Sequence, residues 1–396
     1  MKLPLAGVRV ITLEQFGAGP YGSMNLADLG AEVIKIENPA SGGDASRSMG
    51  PHFLGPNDSE YFQSLNYNKR SLTLNLKTSQ GQAVLHRLVP TVDAVANNLR
   101  GNQPAALGLD YAALKQFNPK VVCAHLSAYG RDNERADWPG YDYLMQAEAG
   151  FLSVTGEPGT PPARFGLSII DFMTGMTMAF GLVSALFDAA RSGQGRDVDV
   201  SLFDVALSNL TYPGTWFLNS GTVTGRAPRG AHPTATPVQL VKTADGWIFL
   251  MCMMDKFWQL LVGVMGNPDW AHDGRFASMK ARRDNRDALT ELLDVAFSDH
   301  PTAHWVDALS GQVPVAPVYD IQQALDNPFV HRIGMVQDSP HPHKAEFRAI
   351  SNPIKLDGER VKEQVCAPLS ADTDELLREV GYSDNEIEAL RSGGII

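Results

Sequence analysis

The sequence predicts an α/β fold: an open, Rossmann-like sheet with helices in a large domain, plus a smaller α+β domain. Three observations lead there. Short Val- and Ile-rich runs alternate with helix-like segments along the first third of the chain. A Gly-rich turn follows the first of these runs. The 396 residues, 44% hydrophobic and 19% charged, suffice for two domains and a large core.

Residues 8–14 (VRVITLE) predict a strand and Gly17-Ala18-Gly19-Pro20 a turn. Residues 21–29 predict a helix that Gly30 stops, and residues 31–37 (AEVIKIE) a second strand, parallel to the first. The pattern continues as strand 71–76, helix 80–90, strand 92–96, helix 110–117 and strand 120–126. Residues 130–140 are polar and predict a loop, and helices are expected at 141–150 and 171–191. The stretch 220–237 (SGTVTGRAPRGAHPTATP) has the composition of a linker or binding loop. Ser383-Asp384-Asn385-Glu386 is a capping box opening a last helix that stops at Gly393. The expected boundaries are a large domain over 1–200, a linker over 201–225, a small domain over 226–325, and a return to the large domain over 326–396.

A net charge of −11 disfavours nucleic acid and anionic membrane as partners. Cys123, Cys252 and Cys366 lie far apart without metal-type spacing, which fits buried thiols in a reducing cytosol, so a cytoplasmic location is expected. The N-terminus Met1-Lys2-Leu3-Pro4 does not have the pattern of a signal peptide. The uncharged stretch 172–187 is shorter than the roughly 20 residues of a membrane span and predicts a buried helix.

Gly17-Ala18-Gly19-Pro20-Tyr21-Gly22 matches G-x-G-x-x-G between a strand and a helix, with Glu37 ending the next strand. That is a dinucleotide fingerprint. Glycines and a helix N-terminus serve the diphosphate of CoA equally well, and a plain tight turn is the third reading. Asp171 is the only charged residue between Arg164 and Asp188. Such a carboxylate either caps the following helix or reacts.

Several stretches together resemble the class III CoA-transferase family, which includes formyl-CoA transferase and the carnitine and bile-acid CoA-transferases. They are Leu5-Ala6-Gly7-Val8-Arg9-Val10 leading to Ala18-Gly19-Pro20, residues 26–37 (LADLGAEVIKIE), Gly43-Asp44 with Arg47, and Asn68-Lys69-Arg70-Ser71-Leu72. Further on come Leu107-Gly108-Leu109, Ser127-Ala128-Tyr129-Gly130, Gly140-Tyr141-Asp142, Thr155-Gly156, Asp171 with Gly175, and Gly193-Gln194-Gly195. The likeness spans nearly the whole chain in order.

The resemblance implies a transferase with Asp171 as covalent nucleophile and Asp142 beside it in the catalytic site. It implies CoA contacts from Gly17, Ala18, Leu74, Lys77, Asn98, Leu99 and Tyr141, and an interlocked homodimer. No tightly bound cofactor or metal is expected; CoA and acyl-CoA are substrates. Arg47 is expected to pair with Asp44, and Lys69 and Arg70 to be a solvated pair. Ala106, Asn38 and Pro139 replace residues that are often basic in such proteins, so the CoA phosphates must be held partly by other groups. Arg226, Arg229 and His232 suggest a small polar acceptor acid, such as the dicarboxylates succinate, mesaconate or oxalate. The competing readings are an α-methylacyl-CoA racemase, an NAD-dependent dehydrogenase and a non-catalytic acyl-CoA binder. Racemases carry His before the Asp where this chain has Tyr141, and tyrosine with a pKa of about 10 is a poor acid–base partner.

Overall fold

The computed structural model describes residues 2–396. The chain forms two compact units, each discontinuous in sequence. One comprises Met1–Ala149, Gly166–Leu210 and Pro328–Ile396, and the other Gly150–Phe165 and Thr211–Asn327.

The first unit is built on six strands: β1 (Arg9–Leu13), β2 (Glu32–Glu37), β3 (Lys69–Thr73), β4 (Ala94–Asn97), β5 (Val122–Ser127) and β6 (Arg196–Ser201). They lie in the order β3-β2-β1-β4-β5-β6, and every neighbouring pair is parallel. This is the doubly wound order, whose switch point lies between β1 and β4. The connecting helices include α1 (Ala18–Asp28), α2 (Ser79–Leu88), α3 (Asp142–Glu148), α4 (Ile169–Ser192) and α5 (Leu202–Ser208). Ile11, Ile34, Leu72, Val95 and Cys123 are fully buried in one apolar core with Leu85 and Leu88 of α2. Sheets covered on both faces select such apolar strands.

The other face of β2 carries charge. Lys35 and Glu37 alternate with Ile34 and Ile36, and both are buried. Lys35 pairs with Asp44, Arg47 with Glu37, and Lys69 with Glu14, every side chain at least 99% excluded from water. Two expectations change here. Arg47 grips Glu37 rather than Asp44, and stacks on Phe62 with 3.7 Å from guanidinium carbon to ring centre. Lys69 is not solvated: its ammonium donates to Glu14, Asn66 and the carbonyls of Pro20 and Leu65. Arg70, pointing the other way from the strand, does meet solvent, paired with Glu32 and Asp372.

Helix α4 is 24 residues long, and by length and composition alone it could cross a membrane. Its residues Ile170, Thr174, Met178, Leu182, Ala185 and Ala189 form one buried stripe at helical spacing. Across from α1, Gly22 and Gly175 let the two backbones touch. A Cβ on Gly22 would stand 2.4 Å from the Gly175 carbonyl oxygen, and one on Gly175 2.3 Å from that of Ala18.

Residues 201–225 are not a linker. Ser201 caps α5 through the Asp204 N–H, and α6 (Thr211–Ser220) follows in the second unit. That unit also holds β7 (Val238–Lys242), β8 (Trp247–Met251), α7 (Asp255–Val264), α8 (Arg286–Phe297), α9 (Thr302–Leu309) and β9 (Val315–Pro317). Its antiparallel sheet β9-β8-β7 packs Ile248 and Leu250 on Trp258, Leu293, Phe297 and Trp305. The chain closes with α10 (Thr373–Glu379) and α11 (Asp384–Ser392), which opens on the full Ser383/Glu386 capping box. Leu376, Ile387 and Ile395 return to the core of the first unit. All three cysteines are buried and free.

Candidate active site

Asp171 occupies the first turn of α4, where the helix N-terminus favours negative charge. Its carboxylate lies against the start of α1: a Cβ on Gly17 would sit 2.4 Å from Asp171 Oδ2. A side chain at position 17 would have to displace that carboxylate. Asp171 does not cap its own helix. That role falls to Asp142, buried at the start of α3, whose Oδ2 accepts the Asp171 N–H at 3.0 Å while its Oδ1 accepts from Gln146 at 2.5 Å. Burial, and secondarily the Asp142 charge, push the Asp171 carboxyl up to about 7. Tyr61 lies near enough that the Asp171 charge helps burial raise its phenol.

The loop leading into Gly17 is held on every side. Phe16 adopts φ of +61°, a conformation costing a non-glycine residue roughly 1–3 kcal/mol. Asp44 Oδ1 accepts the Phe16 N–H at 3.3 Å, and Lys35, paired with Asp44, donates to the Glu14 carbonyl at 2.9 Å. Asn98 grips Gln15: its Oδ1 accepts the Gln15 N–H at 2.9 Å and its Nδ2 donates to the Gln15 carbonyl at 2.7 Å. The Tyr141 and Phe16 rings meet edge to face, centroids 6.3 Å apart.

Two neighbouring cavities open at the carboxyl ends of the strands, where open α/β sheets bind ligands. One of about 340 Å³ is lined by Asp171 with Gly17, Ala18, Asn98, Leu99 and Tyr141. The other, about 480 Å³, is lined by Leu74, Lys77 and Leu99, with Ala106 and Asn38 also on its wall. Gln15, Leu99 and Gln103 border both. All the expected CoA-contact residues thus line one cavity or the other. Asp142 lies behind Asp171 instead, reaching it through the backbone. Sequence reasoning missed Gln15, Phe16 and Arg100 on the wall of the smaller cavity, and Tyr61. Positive φ at Phe16 leaves no trace in the residue type.

The G-x-G-x-x-G motif has a full account without a dinucleotide. Gly17 clears the Asp171 carboxylate, Gly19 clears Asn98, whose Cβ would be 2.9 Å from an added one, and Gly22 clears α4. Glu37, the expected ribose acid in that reading, is already saturated by Arg47, Ser71 and the Asp44 N–H.

The Arg and His residues of the 220–237 stretch are committed within the second unit. Arg226 donates to the carbonyls of Glu157, Thr160 and Pro161. Arg229 pairs with Asp294 and covers the Trp247 ring. His232 Nδ1 accepts the Ala235 N–H. Arg229 thus has its guanidinium edge taken by Asp294, and Arg226 is tied to backbone carbonyls through Nη1.

A doubly wound sheet, cavities at its carboxyl edge and a half-buried aspartate between two helix N-termini define an α/β protein with a ligand site at the ends of its strands. The chain belongs to CoA-transferase family III, whose model matches residues 5–373, and it is a transferase. It is 35% identical over 362 residues to the succinate–glutarate CoA-transferase of Agrobacterium fabrum, covering 89% of each chain. It is also 35% identical over 362 residues to the acetyl-CoA:oxalate CoA-transferase of Acetobacter aceti, covering 90% of each. Among solved structures, a CaiB/BaiF family protein from Brucella suis superposes with a TM-score of 0.83 at 30% identity, covering 96% of this chain and 100% of that one.

Proposed function

We propose that this enzyme moves CoA from an acyl-CoA to a small dicarboxylic acid through covalent intermediates on Asp171. The observation that carries this reading is the contact of the Asp171 carboxylate with Gly17 on the wall of a cavity. The carboxylate attacks the thioester carbonyl, forming a mixed anhydride and releasing CoA thiolate. The thiolate attacks the Asp171 carbonyl, leaving an aspartyl thioester and the first free acid. The acceptor carboxylate then enters and the two steps run backwards. A weakly hydrated carboxylate is a better nucleophile than a solvated one, and burial supplies that property. α1 starts at Gly17 without a side-chain cap, so its first N–H groups are candidate donors to the oxyanion of each tetrahedral stage.

The dicarboxylate preference rests on the relatives named for succinate, glutarate and oxalate. The test is a competition between succinyl-CoA and long-chain acyl-CoA donors over a panel of acids, read by mass spectrometry. Preference for long apolar thioesters would reject it. The enzyme further acts in the cytoplasm as a homodimer. Free buried cysteines and exposed Phe180 and Phe187 on α4 support these two points, and a monomer by light scattering would contradict the second.

A further inference from the structure

Asn98 lines the cavity at Asp171, the place of a CoA ligand, yet both ends of its carboxamide are turned to the protein's own backbone. Its backbone N–H still pairs with the Leu13 carbonyl, one step beyond the end of β4. Its side chain then continues the pairing. It accepts from the Gln15 N–H at 2.9 Å and donates to the Gln15 carbonyl at 2.7 Å, as a peptide group of a neighbouring strand would. Gly19 keeps this arrangement free of a clash, since a Cβ there would meet Asn98 Cβ at 2.9 Å. The residues after Gln15 are Phe16, held at φ of +61°, and Gly17, in contact with Asp171.

We infer that Asn98 is a positioning residue rather than a CoA ligand: its carboxamide serves as an added rung of the sheet that fixes Gln15, and through it Phe16 and Gly17, against the Asp171 carboxylate. This rests on the proposed nucleophilic role of Asp171. The neighbouring Asn97 is locked separately, donating to His125 Nδ1 at 2.9 Å when that nitrogen is unprotonated. Its bond fixes the end of β4, from which Asn98 projects.

The experiment compares Asn98→Ala, the near-isosteric Asn98→Asp, and Gly19→Ala, which pushes the amide aside without removing it. Each full-length variant is tested for CoA dissociation constant by calorimetry and for single-turnover acylation of Asp171 at saturating succinyl-CoA. A positioning role predicts acylation slowed about 100-fold in each, from misplacement of the order of 1 Å. It also predicts CoA affinity within about threefold of the parent, since only transition-state geometry has been lost. Asn98→Asp keeps the acceptor but sets a carboxylate against the Gln15 carbonyl, so it should rescue little. CoA bound tenfold or more weakly with the saturated rate unchanged, on the order of a lost ligand contact, would make Asn98 a CoA ligand and overturn the inference. An unchanged rate in Asn98→Ala would overturn it too. Asp171→Asn runs alongside: near-normal transfer there would remove the reading beneath the inference, whereas an inactive Asp171→Asn beside a normal Asn98→Ala removes the inference alone.

Discussion

Asp171 gives up its proton near neutral pH because burial disfavours its charge and Asp142 adds a second negative charge close by. In the proposed mechanism the attacking species is the carboxylate, so acylation by an acyl-CoA donor should rise as pH increases through about 7. Asp142→Asn keeps an oxygen to accept the Asp171 N–H but removes the charge. The midpoint of the single-turnover pH profile should therefore move to lower pH, by on the order of 1 unit. A profile flat from pH 5 to 8 in the parent, on the scale of ordinary carboxylate pKa values, would contradict this origin of reactivity. At this scale the sequence was informative where chemistry was isolated: a lone aspartate in an apolar stretch singled out Asp171, which the structure sets on a cavity wall. It misled where partners are distant in sequence. Arg229 looked available because Asp294 is 65 residues away, and the grip of Asn98 on Gln15, 83 residues before it, is equally invisible in the sequence.

Among elements, the crossing of α1 and α4 sets the distance between Gly17 and the Asp171 carboxylate. Both helices give up side chains at the crossing, with Gly175 seated on the Ala18 carbonyl. Gly175→Ala must push the helices apart, and overpacking of this kind costs roughly 1–3 kcal/mol. It should also draw α1 away from Asp171, so the melting temperature and the acylation rate should fall together. An unchanged rate would separate the crossing from catalysis. Strand–helix alternation made β1, α1, β2, α2, β4 and β5 legible, because two-faced burial writes apolar runs into parallel strands. β6 (RDVDVS) escaped notice: it is an edge strand whose Arg196 and Asp199 reach solvent, and it follows directly on the stop of α4. Gly, Pro, Thr and Ser around α5 and α6 signal turns and hide both helices in the sequence. Nor does composition reveal that the charges of β2 and β3 point inward; that needs the partners at Asp44, Arg47 and Glu14.

The whole molecule is tied together by returns of the chain, which no local pattern announces: residues 150–165 join 211–327, and residues 328–396 go back to the first unit. One tie of the returning segment titrates. Glu363 and Asp28 are both buried and share Asn68 Nδ2, while Asn352 donates its backbone N–H to Glu363 and its side chain to Asp28. Tyr67 and Lys69 are the titratable groups beside them. Burial, and then the Asp28 charge, push Glu363 up to about 8, and burial raises Asp28 as well. The folded state therefore binds a proton that the unfolded chain releases near pH 4.5, so stability from this pair is full below that pH and is lost as pH rises through about 8. Glu363→Gln mimics the protonated acid, and should flatten that loss, on the order of a few kcal/mol, in denaturant titrations across this range. An equally steep decline in the variant would contradict the shared-proton account. The central claim, covalent transfer through Asp171, has a more direct test. Full-length enzyme is incubated with succinyl-CoA and no acceptor, then digested and mapped by mass spectrometry, alongside Asp171→Asn. The account predicts a CoA or acyl adduct on Asp171 that hydroxylamine removes, none in the variant, and transfer lowered by several orders of magnitude. An adduct mapped to Asp142, or near-normal transfer by Asp171→Asn, would contradict it.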